Sequence, residues 1–375
     1  MRFVNALLIL LCFCCTKENP TQDPLLKILD SQKIEIKRVI ENIDEHELQI
    51  RYTEIIREAD TIIFKDHDFN INDSIYFYPA SSVKLPVAVL ALEKLNADFV
   101  YSINTPFYVE GDSSSTTFKK EINKIFGVSD NQAYNRLFEF LGKDHINNKL
   151  HEKGLKPSRI SHRLSTDNAY DLQTKALIFH ENDSTLSHTQ PISNKAIVEL
   201  QLENIQKGTG YYSGEELITE PFDFSQKNYL PLTTLHNTMK RIVFPSQFKY
   251  DEQFHLNDSD RDFLLNSMSS LPKASGYISD EYYDSFVKFL MFGDKKDPIP
   301  EHIRIYNKVG YAYGYLTDCA YIKDDDNDID FLVTATIHVN KDGIFNDDLY
   351  EYEDIGIPFL AELGRQLYQY ELTKE

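Results

Sequence analysis

The first residues able to do chemistry are Ser81 and Lys84, in the run Tyr78-Pro79-Ala80-Ser81-Ser82-Val83-Lys84-Leu85-Pro86. A helix starting here puts a hydroxyl and an amine, three positions apart, on one face of its first turn. If burial lowers the lysine pKa, the amine can take the hydroxyl proton, and the helix N–H groups favour negative charge forming nearby. The spacing alone is weak evidence, because Ser246/Lys249, Ser270/Lys273 and Ser285/Lys288 share it. Only Ser81 opens an apolar helix, with Val83, Leu85, Val87, Ala88, Val89, Leu90 and Leu92 to hold the pair rigidly at a buried site.

Two further clusters carry reactive side chains. Ser129-Asp130-Asn131, the only Ser-Asp-Asn in the chain, follows Phe126-Gly127-Val128 and precedes the helical pattern Ala133, Leu137, Phe140, Leu141. It reads as a loop capping a helix, and on spacing alone Ser129 or Asp130 needs no role beyond the cap. Lys308 closes the strand-like run Ile303–Val309 just before Gly310, where the missing side chain lets another backbone or a ligand approach closely. Lys341-Asp342-Gly343 repeats the Lys-x-Gly spacing but reads as a polar turn.

The elements that must position these residues follow from periodicity. Leu25 to about Ile43 has helical spacing, and Glu47–Ile56 with Thr61–Phe64 reads as a hairpin. Helical patterns dominate from Ser81 to Phe224, including Val83–Leu95, Asn131–Leu141 and Ile197–Ile205. Helices are also expected at Pro231–Val243, Asp260–Met268 and from about Asp354 to Glu371, with strands at Ile303–Val309, Asp318–Ile322 and Phe331–Val339. Strands at both ends around a helical middle imply an α+β fold. Its antiparallel sheet, flanked by N- and C-terminal helices, would span about 25–80 and 231–375, with an all-helical lobe inserted over about 81–230.

Taken in order, Ser81-x-x-Lys84, Ser129-Asp130-Asn131 and Lys308-Val309-Gly310 resemble the motifs of the penicillin-recognising serine enzymes, most closely the class A β-lactamases. The resemblance runs from about residue 25 to the C-terminus. Tyr134 to Leu141 is similar to the family's helix after Ser-Asp-Asn, and Leu230-Pro231-Leu232-Thr233-Thr234 resembles its Thr-Pro helix start. It implies that Ser81 attacks an amide carbonyl and is acylated, that Lys84 helps activate it, and that Ser129 relays a proton to the leaving nitrogen. It also implies that Lys308 steadies Ser129 and attracts a substrate carboxylate, and that Asn131 binds the substrate's side-chain amide. Asp130 would hold the loop, and the N–H groups of Ser81 and Tyr311 would form an oxyanion hole. No metal or organic cofactor is implied, and the partner is a β-lactam or cell-wall peptide met by a monomer.

Departures from the family pattern bear on mechanism. Val309 stands where a hydroxyl residue is usual, and no Arg occurs between Gly310 and Ala320. There is no Glu-x-x-Leu-Asn, whose Glu positions the deacylating water. Asp167, shortly after Arg163-Leu164, is the nearest spacing match and the candidate for that role, against a plain reading as a helix or turn cap. Three readings stay open: a β-lactamase-type hydrolase, a penicillin-binding-protein-like acyl enzyme with slow deacylation, and a non-catalytic binding protein that keeps the fold.

Met1–Cys15 has one basic residue and an apolar run of signal-peptide length, ending in Cys12, Cys14 and Cys15. It resembles a bacterial lipoprotein signal with Cys15, or Cys14, as the lipidated residue and residues 16–24 as a tether. The expectation is an exported, lipid-anchored protein of the bacterial cell envelope. The 375 residues carry 39 Lys+Arg against 59 Asp+Glu, a net charge of −20, which argues against a nucleic-acid partner. Cys319 reads as a small buried apolar residue. His162, His180 and His188 lack zinc-ligand spacing, and Lys323–Asp330 reads as a solvated turn. Lys207–Phe224 reads as an exposed loop whose place along the cleft stays open.

Overall fold

The computed structural model describes residues 23–374, leaving aside Asp60, Phe99 and residues 181–185. Its frame is an antiparallel five-stranded sheet of β1 (Gln49–Glu58), β2 (Thr61–Phe69), β3 (Ile303–Ala312), β4 (Tyr315–Asp324) and β5 (Ile329–His338). The order is β3-β4-β5-β1-β2, so the two ends of the chain meet at the β5–β1 pair. β4 and β5 sit in the middle and are buried almost throughout, whereas β2, at one edge, alternates exposed and half-buried side chains.

One face of the sheet is covered by α1 (Pro24–Leu29), α2 (Ile34–Ile40) and α9 (Ile357–Thr373). Their apolar side chains share a core with Ile305, Val309, Leu316, Ala320 and Ile322. The opposite face packs against a helical lobe whose core reaches Tyr306, Cys319, Tyr321 and Leu332. Side chains on adjacent strand positions point to opposite faces, so Lys308 looks toward the lobe while Asn307 and Val309 look toward α9.

The lobe is built around α3 (Lys84–Asp98), which is apolar nearly all round and therefore buried on every side. Around it lie α4 (Phe118–Val128), α5 (Asn131–Leu141) and α6 (Lys143–Glu152), while α7 (Leu232–Val243) and α8 (Asp258–Ser269) join the lobe to the sheet.

Three expectations are corrected. The N-terminal helical pattern is two helices, because the backbone turns extended at Lys33 (ψ 130°). The lobe is not all helix: short strands at Phe107–Val109, Leu177–His180 and Leu186–His188 form a small sheet within it. Ile197–Ile205 is an extended segment bridged to Ile75. Its Leu200, Leu202 and Ile205 press onto an aromatic cluster of Tyr76, Phe224 and Phe345, while Val198 is left exposed. Contacts with that cluster, more than a 3.6-residue period, decide that segment.

Candidate active site

Ser81 lies in a single 3-10 turn, Ala80–Val83, that leads directly into α3. Ala80 enters that turn with φ 46°, a left-handed conformation uncommon for a residue with a Cβ. It lifts the serine to the surface of a cleft of about 660 Å³ between the lobe and the β3 edge. Ser81 is half-buried there, whereas Lys84, one turn on, is fully enclosed.

The Lys84 ammonium is held from the α4–α5 junction. It donates to the Ser129 carbonyl, to Ser129 Oγ at 3.3 Å and to Asn131 Oδ1 at 2.6 Å. Burial pushes its pKa down to about 7, against a smaller opposing pull from Asp130. Among the described residues Ser81 Oγ has no hydrogen-bond partner, so the resting contact of Lys84 is with Ser129 and Asn131.

Lys308 reaches the same hydroxyl from the sheet. Its Nζ donates to Ser129 Oγ at 2.8 Å and to the Val309 carbonyl at 2.9 Å, and only 2% of the residue is exposed. Burial first, then the neighbouring Lys84 charge, hold this amine well below the ordinary lysine range. Ser129 Oγ thus accepts from two amines and occupies both lone pairs, which leaves its own proton free to point elsewhere. The local fold fixes this geometry. Ser129 is the left-handed C-cap of α4 (φ 58°), and Asp130 caps α5 by accepting from the Ala133 N–H at 2.7 Å.

Gly310 is required by contact. A Cβ there would lie 2.4 Å from the Pro79 carbonyl oxygen and 3.3 Å from the Ser82 nitrogen. The β3 edge therefore packs directly on the serine turn. Among the described residues β3 pairs with β4 alone, so alternate N–H groups on its outer side lack a strand partner there. Tyr311 lines the cleft beside Ala312 and Tyr313, its ring 4.2 Å from that of Tyr352.

The remaining wall is the loop after α6. Arg163 is buried and paired with Glu139 of α5 through Nε–Oε1 at 2.6 Å and Nη2–Oε2 at 3.0 Å, and it also donates to the Asp171 carbonyl at 2.9 Å. Asn135, one turn after Asn131, exchanges two hydrogen bonds with the Leu164 backbone at 2.8 and 2.9 Å. Asn131 Nδ2 donates to Ser165 Oγ at 2.9 Å. Asp167, by contrast, is exposed and is not among the cleft-lining residues. The expected replacement for the missing glutamate is corrected accordingly: the chain reverses tightly after Ser165 (φ 50°), turning Ser165 and Thr166 to the cleft and Asp167 to water.

Several residues that shape the site gave no sequence motif. His162, Tyr170 and Lys227 line the cleft. Burial brings the His162 imidazole down to about 4, leaving it neutral, with Nδ1 donating to the Arg163 carbonyl at 2.6 Å. Asn135 could have been found from its i,i+4 relation to Asn131. Beneath β3, Lys288 donates to Asn307 Oδ1 at 2.6 Å, and Asn307 Nδ2 donates to Asp318 Oδ1 at 2.8 Å. That lysine belongs to one of the Ser-x-x-Lys pairs set aside for lack of an apolar helix, yet it too is buried, with its pKa pushed down to about 7 chiefly by burial. The stretch Lys207–Phe224 forms short strands instead of a plain loop, and Lys207 is buried against Glu47. Among the described residues no cluster of His, Cys, Asp and Glu suited to a metal ion occurs.

A model of the β-lactamase enzyme family matches residues 33–191, a stretch that includes Ser81, Lys84 and Ser129–Asn131. Over this stretch the chain is similar to the β-lactamase enzyme family. Solved structures agree on the fold. A class A β-lactamase representative from Bacteroides cellulosilyticus superposes with a TM-score of 0.55 at 10% identity, over 94% of this chain and 100% of that one. A class A β-lactamase from Mycobacterium abscessus gives 0.51 at 12%, over 92% and 97%. A β-lactamase from Streptosporangium roseum gives 0.52 at 13%, over 88% and 97%. No curated protein sequence matches. The fold is therefore that of the class A β-lactamases.

Proposed function

We propose that the protein opens β-lactam amides by acylation of Ser81. The observation that carries this reading is Ser129 Oγ held at once by Lys84 from the helix and Lys308 from the strand, beside a serine exposed to the cleft. In this reading the arrangement with Lys84 bonded to Ser129 and Asn131 is its protonated form. Loss of that proton gives a lone pair to take the Ser81 proton as Oγ attacks the carbonyl carbon. The C–N bond then breaks, Ser129 gives its proton to the leaving nitrogen, and the flanking amines return one to Ser129. The Ser81 and Tyr311 N–H groups would stabilise the oxyanion, a task suited to the close seating of β3 on the serine turn at Gly310.

Deacylation needs a second group, and the wall formed by Arg163–Tyr170 brings no carboxylate to the cleft. This favours an acyl-enzyme that hydrolyses slowly, close to the penicillin-binding-protein-like reading. A chromogenic cephalosporin and a labelled penicillin test both steps: a stable adduct with little turnover fits this account, rapid turnover requires an unseen base, and neither outcome leaves a non-catalytic protein. Export as a lipoprotein through Cys15, or Cys14, is part of the same proposal. Those residues lie outside the described ones, and no helix among the described residues is long and apolar enough to cross a membrane. Metabolic labelling with a fatty acid, lost in Cys15→Ser but not in Cys14→Ser, would support the assignment to Cys15.

A further inference from the structure

Lys227 is a cleft-lining cation that the steps at Ser81 do not use. It lies just before α7, and its Nζ stands 5.5, 5.6 and 5.7 Å from the ring centroids of Tyr170, Phe222 and Tyr313. Among the described residues this ammonium has no carboxylate within ion-pair distance and no hydrogen-bond acceptor. The other cations near the site are committed: Arg163 to Glu139 and backbone carbonyls, Lys84 and Lys308 to Ser129. The aromatic faces hold the Lys227 charge in place without using its hydrogen-bond donors, so those donors remain available to an anion.

Position says which part of a substrate that anion belongs to. Tyr170 is on the same loop as Ser165, which is tied to Asn131, so Lys227 lies on the flank where an acyl side chain would run. The leaving nitrogen would instead meet Ser129, which is bonded to the lysines and not to that loop. Near Tyr311 and Tyr350 the rim carries Asp348, which among the described residues has no cation within ion-pair distance and would repel an anion there. We propose that Lys227 anchors an anionic group on the acyl side chain, so that the preferred substrates are acyl donors bearing a carboxylate on that side. This rests on Ser81 being the acylated residue.

Benzylpenicillin and its α-carboxy derivative differ only in that carboxylate and serve as the probes. The readout is the second-order rate of Ser81 acylation, followed by intact mass. The expected result is faster acylation by the α-carboxy compound by about ten-fold, the scale of one charge-assisted hydrogen bond. That preference should vanish in Lys227→Gln and persist in Lys227→Arg, with circular dichroism unchanged in both. Acylation by both penicillins at equal rates in the native protein overturns the anchor alone, as does a preference that survives Lys227→Gln. Acylation by neither overturns the Ser81 reading and the anchor with it.

Discussion

If Lys84 takes the Ser81 proton, acylation must follow the titration of Lys84. Burial places that pKa at about 7 in place of 10.5. The neutral amine is then about 9% of the total at pH 6 and about 91% at pH 8, so the acylation rate should rise about ten-fold between them and level off above. Stopped acid-quench with a labelled penicillin over pH 5.5–9.5 measures the profile. Lys84→Met should lower the rate by about 10²–10⁴, the usual share of a positioned base. The same substitution has a consequence for stability whose sign follows from linkage. Folding lowers this pKa, so the penalty is fully present below about pH 7 and is relieved as pH rises toward 10.5. At about 1.36 kcal/mol per pH unit the difference amounts to about 5 kcal/mol. Lys84→Met should recover part of that near pH 6 and little near pH 10, because it also removes the donor to Ser129 and Asn131. A flat rate profile between pH 6 and 8, or a midpoint near 10, would refute Lys84 as the base.

Gly310→Ala should abolish acylation and cost about 1–3 kcal/mol, since the new Cβ meets the Pro79 carbonyl and the strand must move off the serine turn; denaturant melts and adduct formation read both effects. Glu139→Ala leaves the buried Arg163 guanidinium unpaired and should cost about 3–5 kcal/mol in the same melts, with acylation falling as the loop from Arg163 to Asp171 loses its tie to α5. Asp167→Asn should leave the lifetime of the acyl-enzyme unchanged, because that carboxylate points to water and away from the cleft.

The parts of the site that were legible in the sequence are those fixed by local geometry. Ser81 and Lys84 share a turn, the Ser129–Asn131 loop caps the helix that follows it, and Gly310 marks a close approach; each is a short-range rule that the chain states directly. Helices α5 and α7 begin where capping residues and Pro231 say they should. What was not legible depends on residues brought from far apart. Lys227 stands in the cleft beside Tyr170 and Tyr313, after a run of short strands, and nothing in its own neighbourhood signals this. Asp167 misled because spacing from Arg163 does not reveal that the loop reverses at Ser165. Ile197–Ile205 misled because apolar residues at mixed intervals satisfy a helical period, yet their contacts are with an aromatic cluster that only tertiary folding assembles.

The most direct measurement is the mass of the soluble domain after incubation with a penicillin, with the modified peptide sequenced. The account predicts one intact penicillin added per chain, carried on Ser81 and absent from Ser81→Ala. Retention of the adduct in Ser81→Ala, or its location on any other residue, would contradict it.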